Sequence, residues 1–249
     1  MSPPRQPEST LLIGLPDAFR QLPEAQRAEL CAYGKQHAVP RNEVVMPFGT
    51  ARPPVLAVRS GLLTIEYPTR RERTVITAFL HAHDLFFSSL DGKDVSAYDL
   101  RSVAPSVVIV WPSAVFRHVV ASSAPFGRWL AEQTNQKLQS QYLRQAQLSA
   151  PLDQQLAFLY WSLAESELPD GGRLLNTKVP QADLASYLGV TREEVSRKKQ
   201  ILERVGYLRD TETGLVLSAE LPRLFSPQSG VTNPWRDTGL SAESDMAPL

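Results

Sequence analysis

The chain holds one cysteine, Cys31, among 249 residues. A single thiol can form no internal disulfide, no CxxC zinc site and no four-cysteine iron–sulfur cluster. Neither sign of charge is in excess, with 26 Lys and Arg against 26 Asp and Glu. That balance excludes a histone-like, wholly basic binder. It leaves room for a local basic patch, because the field depends on where the charges sit. Long apolar runs are also missing. The stretch Val107–Trp111 is far too short to span a bilayer, and Leu11-Leu12-Ile13 stops at Gly14, short of a signal-peptide core. These absences lead to the expectation of a cytoplasmic protein in a reducing compartment, with no membrane partner. Nor does the sequence carry G-x-S-x-G, H-E-x-x-H or G-x-x-x-x-G-K. No catalytic residue, metal ligand or cofactor is therefore expected. His81, His83 and Asp84 could form a metal or acid–base cluster, but each element alone is common.

What remains is an ordinary globular composition, 43% apolar and 21% charged, with no internal repeats. The length suits one large domain or two small ones. The chain divides into unlike thirds. Residues 1–14 read as disordered at the N-terminus, and 16–38 suggest short amphipathic helices around Leu22, Leu30 and Tyr33. From about 39 to 116, short β-rich runs recur: Val44–Met46, Val55–Val58, Leu62–Tyr67, Thr74–Phe79, Leu100–Val103 and Val107–Val110. Turn residues such as Asn42, Gly49, Gly61 and Asp91-Gly92 punctuate them, which predicts a barrel or sandwich. Beyond Pro125 come good helix formers, with Leu130, Thr134, Leu138 and Tyr142 four apart. That face can pack on its own domain or pair with its copy in a dimer. Residues 226–249 lack periodicity and read as a disordered tail.

The sharpest signal lies at 181–202, QADLASYLGVTREEVSRKKQIL. Leu184, Leu188, Val190, Val195, Ile201 and Leu202 form the apolar set, and Ala185 is small where two helices must cross. Gly189 suits the left-handed end of a first helix. Thr191 and Glu194 make a capping box that opens a second one. Two short helices joined by a Gly-containing turn describe a helix-turn-helix. Arg192, Glu193, Ser196 and Arg197 share the exposed face at the start of the second helix, as base-edge reading requires. Lys198, Lys199 and Arg204 add local positive charge, and Gln181, Thr191, Lys199 and Arg209 are the expected phosphate contacts. A hairpin follows, built from Tyr207–Arg209 and Leu215–Leu217 about the turn at Asp210–Gly214, and reads as a wing. Lys198 stands where such a helix usually buries an aliphatic residue. Either its stem lies along the core with the amine outside, or Ile201 and Leu202 carry the packing.

A β-rich domain, a long helix, a hinge and a winged helix-turn-helix resemble the CRP/FNR family of bacterial transcription regulators, over roughly residues 15–220. Arg41–Gly49 looks like the opening of that family's β-roll, Val58–Leu63 like its first hairpin, and Leu152–Ala157 like the first helix of its DNA-binding domain. Glu193-x-x-Ser196-Arg197 is similar to its E-x-x-S-R reading face, and Arg192 to the guanine-reading arginine of its cyclic-AMP receptor branch. The resemblance implies an α+β fold. A β-roll sensor-like domain would occupy 15–124, a dimerisation helix 125–149 and a winged helix-turn-helix domain 150–225. It also implies a homodimer through Leu130, Thr134, Leu138 and Tyr142, a palindromic operator with TGA-containing half-sites, and double-stranded DNA and RNA polymerase as partners.

The family's cyclic-nucleotide pocket takes a Gly-Glu pair for the ribose and an Arg-Ser/Thr pair for the phosphate. Here Phe87-Ser88 stands at the first and Val95-Ser96 at the second. Without the arginine, desolvation of a cyclic phosphate goes uncompensated. Control by cyclic AMP in the usual way is therefore not expected. Phe86, Phe87, Ser88 and Ser96 mark whatever effector pocket survives, and Phe79, Leu85 and Tyr98 could add apolar walls. A haem sensor, with His81 and His83 on one side of a strand, a sensor of small apolar ligands, and an interaction module that does not bind DNA are the other readings.

Overall fold

The structure is a computed structural model that describes residues 11–69, 74–88 and 95–225. It opens with α1 (Asp17–Arg20) and α2 (Glu24–Tyr33). Eight strands follow: β1 (Lys35–Val39), β2 (Val44–Met46), β3 (Val55–Ser60), β4 (Leu63–Pro68), β5 (Thr74–Leu80), β6 (Leu85–Phe86), β7 (Asp99–Ser102) and β8 (Ser106–Trp111). They form two four-stranded sheets, ordered β1-β8-β3-β6 and β2-β7-β4-β5, with every pair antiparallel. The sequence reading missed β1. Its Lys, Gln and His residues are exposed and carry no apolar signature, and its pairing with β8 alone draws it into the sheet.

The period of two along a strand decides which cluster each side chain enters. Leu56 and Val58 of β3 and Val108 of β8 point between the sheets, where they meet Met46, Leu63, Leu80, Phe86 and Leu100. Val55, Ala57, Ile109 and Trp111, their neighbours along the chain, point outward into a second cluster. That cluster is roofed by α1, α2, α3 (Ser113–Ser122) and the start of α4 (Ala124–Gln147). Phe19 touches Trp111, Phe116, Phe126 and Trp129 at ring separations of 5.2–6.3 Å. Leu11 and Leu12, at the end of the stretch read as disordered, are buried there too; residues 1–10 of that stretch and the tail 226–249 lie outside the described residues. Gly61 turns β3 into β4 at φ +91°, and a Cβ there would stand 2.7 Å from the Ser106 Cα. A tight turn pressed against a neighbouring backbone requires glycine.

Ser123 caps α4, its hydroxyl accepting from the Phe126 N–H at 3.4 Å. After α4 come α5 (Leu152–Leu163), β9 (Ser166–Glu167), β10 (Arg173–Leu175), α6 (Gln181–Leu188), α7 (Arg192–Arg204), β11 (Leu208–Thr211), β12 (Gly214–Leu217) and a 3-10 turn at Leu221–Leu224. The four strands form a sheet ordered β11-β12-β10-β9. Leu156, Leu159, Leu163, Leu184, Val195, Leu202 and Leu217 fill the core between it and the helices. No helix among the described residues is long and apolar enough to cross a membrane. The architecture is therefore α+β: a two-sheet roll, a long helix and a C-terminal winged helix-turn-helix.

Candidate nucleic-acid interface

The helix-turn-helix forms as its residues dictate. Gly189 ends α6 at φ +70° and ψ +27°, and its N–H donates to the Ala185 carbonyl. Both arms of the capping box close. The Thr191 Oγ1 accepts from the Glu194 N–H at 3.3 Å, and Glu194 Oε2 accepts from the Thr191 N–H at 2.9 Å. Hydrogen bonds from the Thr191 backbone and hydroxyl hold the Glu194 carboxyl below its ordinary range. Val195 and Leu184 are fully buried and pin α7 across α6.

This packing leaves Arg192, Glu193 and Arg197 exposed, with Ser196 half-buried between them. Positions i, i+1, i+4 and i+5 of one helix share a face, so all four emerge together. Among the described residues no carboxylate lies within ion-pair distance of Arg192 or Arg197. Beside them a groove of about 700 Å³ runs between the start of α7 and the wing, with Lys178, Gln181 and Arg192 among its walls. Arg209 stands exposed on β11. Thr191, expected at a phosphate, spends its hydroxyl on the cap.

Two side chains of α7 stand otherwise than the sequence suggests. Lys199 does not stand open to solvent: its ammonium lies 2.6 Å from Asp210 Oδ2 and 2.8 Å from Glu203 Oε1, and its side chain is 18% exposed. Ile201, placed in the apolar set, is exposed, because Leu202 fills the core position beside it. Lys198 ends 3.7 Å from Asp153 Oδ1 of α5, with its side chain 35% exposed.

Along α4 the four residues read as one seam divide. Leu130 is buried in the aromatic cluster of its own roll, because α1 and α3 cover that end of the helix. Thr134, Leu138 and Tyr142 are exposed, the last two at 47% and 60%.

The expected effector residues do not converge either. Phe86 lies in the inter-sheet core with a face toward a cleft of about 520 Å³, which Phe87 also lines. Ser88 is exposed and outside that cleft. Ser96 is buried elsewhere, its hydroxyl donating to the Tyr98 carbonyl at 2.7 Å and accepting from the Tyr98 N–H at 3.3 Å. Val95, where the family's arginine would stand, is exposed. His81 and His83 flank a turn instead of sharing a strand face, since β5 ends at Leu80 and His83 adopts φ +74°. The residues described contain no cluster of three or more His, Cys, Asp or Glu able to hold a metal.

The sequence reading missed the junction between roll and DNA-binding domain. Arg101 of β7 bridges Glu66 at 2.6 Å and Asp183 of α6 at 3.0 Å. Ser186 of α6 donates to the Thr74 carbonyl and accepts from the Ile76 N–H, both at 3.2 Å. Arg144 of α4 donates to the carbonyls of Thr77 at 2.5 Å and Tyr187 at 2.9 Å, and its guanidinium lies 3.8 Å from the centre of the Tyr187 ring. Arg101 and Asp183 are 82 residues apart, and no local pattern announces such a pair.

Residues 154–224 match the family described as Crp-like helix-turn-helix domain. A comparison with curated protein sequences returns no match. Among solved structures, FixK2 from Bradyrhizobium japonicum is similar with a TM-score of 0.66 at 17% identity, over 78% of this chain and 98% of that one. A CooA mutant from Carboxydothermus hydrogenoformans is similar with a TM-score of 0.65 at 16% identity, over 85% and 94%. TTHA1359, a transcriptional regulator of the CRP/FNR family from Thermus thermophilus, gives 0.60 at 20% identity, over 76% and 97%. Residues 154–224 thus form a Crp-like helix-turn-helix domain, and the chain as a whole shares the fold of these structures.

Proposed function

We propose that the protein is a sequence-specific transcription regulator that binds a palindromic operator as a two-fold homodimer. One observation carries this reading: Arg192, Glu193, Ser196 and Arg197 emerge together from the first turns of a capped helix, and both arginines lack a carboxylate partner among the described residues. Arg can grip guanine O6 and N7, Glu can accept from a cytosine amino group, and Ser can serve either way. Gln181 and Lys178 border this face, Arg209 is exposed on β11 of the wing, and all three suit backbone phosphates. One such unit reads few base pairs, so specificity calls for two copies one helical turn apart, roughly 34 Å. Thr134, Leu138 and Tyr142 offer the exposed seam of α4 for that pairing. RNA polymerase as partner and a cytoplasmic location belong to the same reading.

Selection of bound duplexes from a random pool tests it. A palindrome with TGA-containing half-sites is expected, with affinity that falls steeply as salt rises. Binding without sequence preference, or none, would favour an interaction module. Light scattering that finds a monomer with and without DNA would remove the dimer.

Cyclic nucleotides are not the effector in this reading. Val95 supplies no charge for a phosphate, and the Ser96 hydroxyl is already engaged. Calorimetry with cyclic AMP and cyclic GMP is expected to show no heat at micromolar concentration. A small apolar effector has one observation in its favour, the cleft to which Phe86 and Phe87 contribute beside Phe79 and Trp129.

A further inference from the structure

We propose that Lys199 is a positioning residue that clamps the wing to the reading helix, and not a contact to DNA phosphate. The inference rests on the DNA-reading function proposed above. Lys199 lies two turns beyond Arg192 on α7, with its ammonium between two carboxylates. Glu203 comes from the next turn of the same helix, and Asp210 from β11 of the wing. Its ammonium is shared by two carboxylates, and Lys178 also acts on Asp210, so the charge of Lys199 is already matched within the protein. A phosphate brought there would meet the Asp210 carboxylate, whose side chain is 67% exposed, before the ammonium. Burial works against the charge on Lys199, yet its bonds to Asp210 and Glu203 outweigh that and raise its pKa. The ion pair therefore stands throughout the neutral range.

The clamp acts on the wing through strand geometry. Asp210 pairs with Leu215 across the hairpin, and Arg209 pairs with Val216. Neighbours along a strand point to opposite faces, so fixing Asp210 against α7 fixes where Arg209 emerges. The preceding residue does the same on another side: Lys198 reaches Asp153 of α5 at 3.7 Å. Two consecutive lysines of the reading helix thus secure it to the two elements that flank it.

The experiment compares the parent with Lys199→Met, Asp210→Asn, the double variant and the swapped pair Lys199→Asp with Asp210→Lys, the swap built with Glu203→Gln so that the new carboxylate meets no like charge. Each binds the selected duplex over a range of salt. A clamp predicts that both single variants weaken binding by about fivefold with an unchanged salt slope. The double variant is then no weaker than either single one, and the swap recovers part of the loss. A phosphate contact predicts otherwise: Lys199→Met flattens the slope by about 0.9, while Asp210→Asn frees the lysine and tightens binding. That pair of results overturns the proposal. Amide hydrogen exchange without DNA separates it from the function beneath it. Faster exchange across β11 and β12 in both single variants, restored in the swap, upholds the clamp even if the chain binds no duplex, and unchanged exchange overturns it.

Discussion

The junction between roll and DNA-binding domain and the reading face of α7 treat their arginines in opposite ways. At the junction, Arg101 is held between Glu66 and Asp183 with its side chain 19% exposed, and Arg144 spends two nitrogens on carbonyls and its plane on Tyr187. On α7, Arg192 and Arg197 are exposed, with no carboxylate within ion-pair distance among the described residues. The residues are chemically identical, and their surroundings alone set one pair to structure and leave the other open to solvent. A chain with 26 cations and 26 anions can thus hold arginines open to solvent, because the local field depends on where the charges sit.

Removing Arg101 strikes this contrast hardest. Arg101→Ala leaves Glu66 and Asp183 facing each other without a cation, and loss of one partner from so buried a network costs about 3 kcal/mol. Urea unfolding should show the DNA-binding domain melting apart from the roll, with sequence preference on DNA retained. On the other side, Arg192→Ala or Arg197→Ala should cost about 1–3 kcal/mol of operator affinity per lost contact and relax the preference at one base pair. The urea midpoint should stay where it is. If it moves as far as with Arg101→Ala, the two populations are not distinct. A smaller effect sharpens the reading-face side: Thr191→Ala opens the capping box and should cost about 1 kcal/mol of stability.

The smallest expected effect concerns acid. Burial raises the Asp84 carboxyl, but the His81 ring and backbone N–H and the Lys137 ammonium outweigh it and hold the group below its usual value. A carboxyl depressed in the folded state adds stability above its unfolded pKa and loses it as pH falls through the folded value. Stability measured from pH 7 down through the carboxylate range should decline less in Asp84→Asn than in the parent. Identical slopes would show that Lys137 and His81 contribute nothing through this group.

The helix-turn-helix was legible because its determinants are local. Thr191 and Glu194 lie three apart, and Gly189 alone provides the left-handed turn. The roll was legible as strands, from the alternation that sends Leu56 and Val58 one way and Val55 and Ala57 the other. A four-residue spacing, by contrast, tells which side chains share a face and not what covers it. Leu130 and Leu138 look alike in sequence, yet α1 and α3 reach only the first. Lys199 read as a phosphate contact because a lysine on a basic helix shows its charge in sequence, whereas Asp210, eleven residues on, shows no sign of reaching back. The expected effector residues lie apart for a related reason: adjacency to a family motif does not make Ser96 face a pocket when the Tyr98 backbone is within reach.

Arg144 gives α4 the character of a shaft geared to two wheels. Its guanidinium ends on a carbonyl of β5 and on a carbonyl of α6, at 2.5 and 2.9 Å. Hydrogen bonds weaken beyond about 3.2 Å, so a slide of the helix by roughly 1 Å along its axis would strain both contacts at once. A shift of the roll relative to the helix-turn-helix past this point of the shaft therefore costs at least one of the two bonds.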